Sequence, residues 1–268
     1  MYLIGERING MFKNMRAAIG EKNKQVVQEV ALAQLKAGAQ ALDINVGPAS
    51  DKPLDAMMWL VEAVREVTDA PLAIDTAKWE VMSAIVPKVP GHAIINSCKA
   101  DEAELDKYLK LAVDCKASII GLTIDQKGVP ADAEKRIELG ATIAAKAQEA
   151  GLPMNHLFID PIIIPVNVSP ATPKAVLSAL AALKLISDPP PHLVLGLSNV
   201  SQGCTERKLI NRTMMSLAQS AGMDALIADP LDLDLMNALV AAELLLQRTI
   251  YCDSFIDAYK MGAKPGEP

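Results

Sequence analysis

The stretch Leu72-Ala73-Ile74-Asp75-Thr76 and, one helix-length later, Ala93-Ile94-Ile95-Asn96-Ser97 set the pattern for the whole chain. Each is a short aliphatic run closed by a carboxylate or a carboxamide. A run this short and apolar suits a strand buried on both faces, as in a parallel sheet. The interval from Asp75 to Asn96 holds one helix and two loops, which a parallel crossover requires.

The same unit recurs on either side. Leu3 to Glu6, Ala41 to Asn45, Ser118 to Thr123, Leu157 to Asp160, Val194 to Asn199 and Ala225 to Asp229 bring the number of runs to eight. Helical signals fill the intervals. Lys24 to Lys36 places Val27, Val30, Ala31 and Leu35 at helical spacing before Gly38. Glu134 to Ala150 sets Ile137, Ala141 and Ala144 on one face and stops at Gly151-Leu152-Pro153, and Met236 to Leu246 is rich in Ala and Leu. The prolines at 189–191 break the chain before the seventh run. Eight such repeats with no linker between them predict an α/β fold, a (β/α)₈ TIM barrel forming a single domain over residues 1–268. A doubly wound open sheet is the competing fold, but its phosphate-binding Gly-x-Gly-x-x-Gly after an early strand is missing.

Composition narrows the function. The 268 residues are 51% apolar and 3% aromatic, suited to aliphatic strands and closely packed helices. A net charge of -6 argues against a nucleic-acid partner, which needs clustered Lys and Arg. No apolar run reaches the length of about 20 residues that spans a bilayer. The opening Tyr2-Leu3-Ile4-Gly5 ends in Glu6-Arg7, so neither a leader nor an anchor is expected, and the predicted location is the cytoplasm. Cys98, Cys115, Cys204 and Cys252 lack the C-x-x-C spacing of a zinc site or a dithiol, which predicts reduced thiols. His92, His156 and His192 are isolated and read as loop or barrel-bottom residues; no metal is expected.

In such a barrel the chemistry sits at the C-terminal ends of the strands. The polar residues there are Glu6, Asp43, Asn45, Asp75, Asn96, Asp160, Ser198, Asn199 and Asp229. Several acids in one mouth repel and lose hydration unless they bind a cation or accept hydrogen bonds. A divalent metal would satisfy them, and so would a flat heterocycle rich in N–H donors, such as the aminopyrimidinone of a pterin. The amides favour the heterocycle, being weaker metal ligands than carboxylates. The alternative is helix capping, which Asp and Asn do well, and Asp75-Thr76 is a candidate helix start. After the seventh run, Gly196-Leu197-Ser198-Asn199-Val200-Ser201-Gln202 is followed by Arg207, Lys208 and Arg212. Those cations suit an anionic tail on the ligand; the alternative is that they cap a helix or pair with Glu206.

With these residues assembled, the chain resembles the pterin-binding barrel family, and within it the methyltetrahydrofolate:corrinoid/iron–sulfur protein methyltransferases. The resemblance rests on Gly5-Glu6-Arg7-Ile8-Asn9-Gly10, Leu42 to Pro48, Ile74-Asp75-Thr76, Ile94 to Ser97, Ile159-Asp160-Pro161, Leu195 to Gln202, Ile210-Asn211-Arg212 and Tyr251 to Phe255. Dihydropteroate synthases share the acid of run three, the Asn of run four and the Asp-Pro of run six. They carry a basic residue after the serine in the seventh loop, where this chain has Ser198-Asn199. The opening motif is also that of the folate module of cobalamin-dependent methionine synthase, whose further modules have no room here.

The resemblance implies that Asp75, Asn96 and Asp160 hold the pterin ring, that Asn199 faces the methyl-bearing N5, and that Gly196, Ser198 and Gln202 form the same wall. Arg207 would meet the tail, and Glu6, Asp43 and Asn45 would form a proton network. It further implies a cytoplasmic homodimer with no tightly bound cofactor of its own. Such a protein moves the methyl group of 5-methyltetrahydrofolate to the Co(I) of a cobalamin (corrinoid) carried by a corrinoid iron–sulfur protein, in the acetogenic Wood–Ljungdahl pathway. The alternatives are the corrinoid protein of an O-demethylase system, or dihydropteroate synthase-like chemistry. No residue stands out in the sequence as a general acid for protonating N5.

Overall fold

The computed structural model describes residues 1–249. The Tyr251 to Phe255 motif, with Cys252, lies outside the described residues, as does the end of the predicted 1–268 domain. All eight aliphatic runs form strands: β1 (Tyr2–Asn9), β2 (Ala41–Asn45), β3 (Leu72–Asp75), β4 (Ala93–Lys99), β5 (Ser118–Leu122), β6 (Leu157–Asp160), β7 (His192–Gly196) and β8 (Ala225–Ala228). They pair in sequence order, all parallel, and β8 returns to β1 to close the barrel. Around it lie α1 (Lys13–Gly20), α2 (Lys24–Lys36), α3 (Pro53–Arg65), α4 (Trp79–Ile85), α5 (Glu102–Cys115), α6 (Ala133–Glu149), α7 (Thr172–Leu183), α8 (Arg207–Ser220) and α9 (Leu233–Leu245).

Alternation along each strand divides the core in two. Inward residues Ile4, Ala41, Ala73, Ile94, Ile120, Phe158, Val194 and Ala225, one per strand, fill the barrel. The alanines of β2, β3 and β8 leave room for the ring of Phe158. Outward residues such as Leu42, Ile74, Ile95 and Leu195 pack against the helices. Burying each large aliphatic side chain contributes about 1.5–3 kcal/mol. Helices approach closely where a side chain is missing: a Cβ on Gly140 of α6 would run into Leu183 of α7.

Two strands carry an extra residue. Gly5 to Ile8 of β1 lies opposite Leu42 to Ile44 of β2, and Asn96 to Cys98 of β4 lies opposite Ile120 to Gly121 of β5. These one-residue bulges carry β1 on to Asn9 and β4 on to Lys99, beyond the Glu6 and Asn96 end points expected from the aliphatic runs. The seventh run is shorter than expected: β7 stops at Gly196, and Leu197–Asn199 form a 3-10 turn.

The three histidines stand at the opposite, N-terminal end of the barrel, as the sequence reading placed them. His92 Nε2 is 2.9 Å from Ser118 Oγ, and the His156 ring meets that of His92 at 5.3 Å. The His192 ring stacks on Phe158, and its Nδ1 lies 3.3 Å from Asp224. Among the described residues no helix is long and apolar enough to cross a membrane.

Candidate active site

Two residues beyond the apolar plug, most strands present a polar side chain or a glycine. Glu6, Asp43, Asp75, Asn96, Asp160 and Gly196 occupy that level on β1, β2, β3, β4, β6 and β7. A two-residue step keeps the side chain on the inner face, so the apolar layer dictates where the polar layer points. Asn45 lies one further step up β2.

These residues are bonded to each other across the mouth. The Asn96 Nδ2 donates to Asp43 Oδ1 at 2.8 Å, and the Asn45 Nδ2 donates to Asp75 Oδ2. Two Asn–Asp pairs therefore cross between β2, β3 and β4. Asp160 accepts from the backbone N–H of Ile162 at 2.7 Å and from that of Gly196. On the far side Ser198 Oγ donates to Glu6 Oε1 at 2.6 Å.

None of the strand-end acids and amides caps a helix. The N-termini with side-chain caps belong to Asn23, Asp101, Asp132 and Asp232. The expectation that Asp75-Thr76 starts a helix is corrected: α4 begins at Trp79, and Asp75 is bound by Asn45. Asn45 and Asp229 brace their own loops by accepting from Gly47 and Leu231.

Burial shifts these carboxyls toward their protonated forms, which the sequence did not reveal. Burial holds Asp43 well above the usual carboxylate range and Asp75 adds to this, against the hydrogen bond from Asn96. Asp75 is raised by burial, against the bond from Asn45. Asp160 is pushed up to about 6 by burial, opposed by the Ile162 and Gly196 N–H groups and the charge of Arg136. Glu6 is raised by burial too, against the bond from Ser198. No general acid stands out in the sequence; in the structure, burial favours the protonated form of each of these carboxyls, which makes them the candidates.

Asn199 stands at the end of the 3-10 turn, exposed to the mouth. Gly196 lies beneath it, and a Cβ there would sit 3.2 Å from Asn199 Nδ2 and press on that side chain. Arg207 braces this loop: its Nε donates to Ser201 Oγ at 3.1 Å and its Nη2 to the Ser198 carbonyl at 3.0 Å. The expected alternative for the cations, pairing with Glu206, is replaced by other partners: Lys208 lies 3.8 Å from Asp232 and Arg212 lies 3.1 Å from Asp234.

Two clefts open on this face. One of about 430 Å³ is lined by Glu6, Arg7, Asn9, Phe12, Ser198, Asn199, Gln202, Arg207 and Asp229. The other, of about 210 Å³, is lined by Asp75, Asn96, Trp79, Lys107 and Tyr108. Arg7, Asn9 and Phe12 were not among the site residues predicted, although the motif containing them is conspicuous. Arg7 lies 3.5 Å from Asp229 and stacks its guanidinium 4.1 Å from the Phe12 ring centre. Among the described residues no three His, Cys, Asp or Glu side chains are grouped to hold a metal ion.

A closed parallel barrel with a buried, amide-bonded acid layer at the C-terminal strand ends is the architecture of a (β/α)₈ site for a small polar ligand. The chain belongs to the pterin binding enzyme family, whose sequence model matches residues 13–229. It is 30% identical over 266 residues to a methylcorrinoid:tetrahydrofolate methyltransferase of Eubacterium limosum, covering 98% of this chain and 97% of that protein. A methionine synthase of Mycobacterium leprae is 25% identical over 238 residues, which span 84% of this chain and 20% of the synthase. In fold, the chain matches a dihydropteroate synthase of Yersinia pestis with a TM-score of 0.67 at 18% identity, over 92% of this chain and 94% of that one. The synthase of Thermus thermophilus matches with a TM-score of 0.65 at 17% identity, over 92% and 94%.

Proposed function

We propose that the protein transfers the N5 methyl group of 5-methyltetrahydrofolate to the Co(I) of a cobalamin held by a separate corrinoid iron–sulfur protein, as in the reductive acetyl-CoA pathway. The observation that carries this reading is the layer of buried, hydrogen-bonded acids at the strand ends, whose burial favours their protonated forms, standing beside the exposed amide of Asn199. A tertiary amine leaves poorly, so N5 must gain a proton as the methyl departs. The family match and the Eubacterium relative support folate and corrinoid chemistry, although that relative's name states the transfer in the opposite direction.

In this reading Asp75, Asn96 and Asp160 hold the aminopyrimidinone, whose N–H groups meet carboxylate and amide acceptors. Asn199 turns its carbonyl toward protonated N5 and its amide toward the neutral nitrogen. Preorganised polar groups aimed at developing charge typically contribute a few kcal/mol. The carbon bearing the folate tail adjoins N5, so a ring with N5 at Asn199 sends its tail into the cleft of Gln202 and Arg207. Gly196 and Ser198 complete the wall. Glu6, which accepts from Ser198 beside Asn199 and is raised by burial, serves as the proton donor, with Asp43, Asn45 and Asp75 as the network behind it. The chain needs no cofactor of its own. It acts as a single 1–268 domain, a cytoplasmic homodimer.

Incubation with methyltetrahydrofolate and chemically reduced cobalamin tests the reading. Methylcobalamin is expected, with its spectrum growing at the expense of Co(I). The reverse assay, from methylcobalamin and tetrahydrofolate, establishes which direction is faster. Formation of dihydropteroate and pyrophosphate from a dihydropterin pyrophosphate and p-aminobenzoate, without methyl transfer, would overturn the proposal.

A further inference from the structure

Strand β1 reverses its inside and outside at one place. Ile4 belongs to the inner plug, so regular alternation would put Glu6 and Ile8 inside and Arg7 and Asn9 outside. Instead Ile8 packs in the outer core, while Glu6, Arg7 and Asn9 all line the cleft of Asn199. The extra residue in β1 is what shifts the phase.

One side chain fills the bulge. Gln34 of α2 is fully buried, and its Oε1 accepts the backbone N–H of Arg7 at 2.8 Å. The same oxygen presses on Gly5, where a Cβ would lie 2.5 Å away. A bulge leaves a backbone group without a ladder partner, and an unpaired buried N–H costs about 1–3 kcal/mol. Gln34 supplies the acceptor from outside the barrel. A helix-facing amide among Val27 and Ala31 has no hydrophobic reason to be there.

We propose that Gln34 is a positioning residue for methyl transfer: by bonding Arg7 across the bulge it aims Glu6 at Ser198 and Arg7 at Asp229 and Phe12. This inference rests on the methyl-transfer reading of the site. Gln34 touches no substrate and acts through the pair it fixes, while Asp75, Asn96 and Asp160 stand on other strands.

The test compares wild type, Gln34→Met and Gln34→Glu in single-turnover methyl transfer to reduced cobalamin, folate binding and thermal unfolding. Methionine keeps the shape and removes the acceptor, and glutamate keeps an oxygen there. Gln34→Met is expected to slow transfer at least about tenfold and to displace its pH profile, with the folate Kd changed less than about threefold. Gln34→Glu is expected to recover the rate to within about threefold of wild type. A folded Gln34→Met with the wild-type rate and pH profile overturns the proposal. So does an equal loss of rate and affinity that Gln34→Glu shares, which marks a role in stability alone. If Gln34→Met does not fold, amide exchange decides: slow exchange at Arg7 in wild type and Gln34→Glu supports the proposal, and fast exchange in either overturns it. Absence of transfer by the wild type would sink the reading of the site. The Gln34–Arg7 bond would then still be tested by exchange.

Discussion

Replacing Asp160 with asparagine should stabilise the protein while destroying its affinity for folate. Asp160 titrates at about 6 in the folded chain against an ordinary 3.8, so the folded state holds its proton the more tightly. A raised carboxyl costs nothing while protonated and destabilises the fold as pH rises through this window. By linkage the cost is about 1.5 kcal/mol at pH 5 and about 3 kcal/mol at pH 7.5, where Asp160 is ionised in both states. Asparagine keeps an oxygen for the Ile162 and Gly196 N–H groups and never ionises. Urea unfolding of both proteins at the two pH values should show the variant's advantage growing by about 1.5 kcal/mol. Folate binding should weaken at least about thirtyfold, because an amide turns an N–H toward a ring donor. An advantage that stays constant between pH 5 and 7.5 would refute the account of Asp160, and an unchanged folate Kd would remove it from the ring-binding set.

Asn199→Ala should slow single-turnover methyl transfer by about 100-fold or more, with urea stability within about 0.5 kcal/mol of wild type, since the side chain is exposed. Gly196→Ala should reproduce part of that loss by crowding Asn199 Nδ2, again without a large change in unfolding. Gly140→Ala tests packing away from the site: its methyl meets Leu183, and a loss of about 1–3 kcal/mol in urea unfolding is expected with methyl transfer preserved.

The barrel was legible because strands buried on both faces need aliphatic side chains at nearly every position, and few other elements in this chain do. Leu72–Asp75, Leu157–Asp160 and Ala41–Asn45 coincide with their runs for that reason. The bulges were not legible. A polar pair such as Glu6-Arg7 ends an aliphatic run whether the strand stops or merely shifts phase, and only Gln34, far along the chain, distinguishes the two. Val194 to Asn199 misled in the opposite sense, because Leu197 continues the alternation after the backbone has turned at Gly196. The site residues were visible as types at strand ends. Their shift toward the protonated form was not, because it depends on how deeply eight strands jointly bury Asp43, Asp75, Asp160 and Glu6.

The bulges of β1 and β4 also bear on how this barrel can diverge. Substitution at Glu6, Arg7, Asn96 or Ser97 changes one side chain in the mouth. Deleting one residue from either pair removes the bulge, yet every later residue of that strand keeps its partner and its face, since Ile8 and Asn9 stand opposite Ile44 and Asn45 and Cys98 opposite Gly121. Ile8 would stay in the outer core and Asn9 at the cleft, and the loss would be one mouth side chain, either the partner of Ser198 or that of Asp229. Each bulge thus lets its strand present one more side chain at the mouth than a regular strand could, and a length difference there between relatives would mark a gained or lost group in the ligand site.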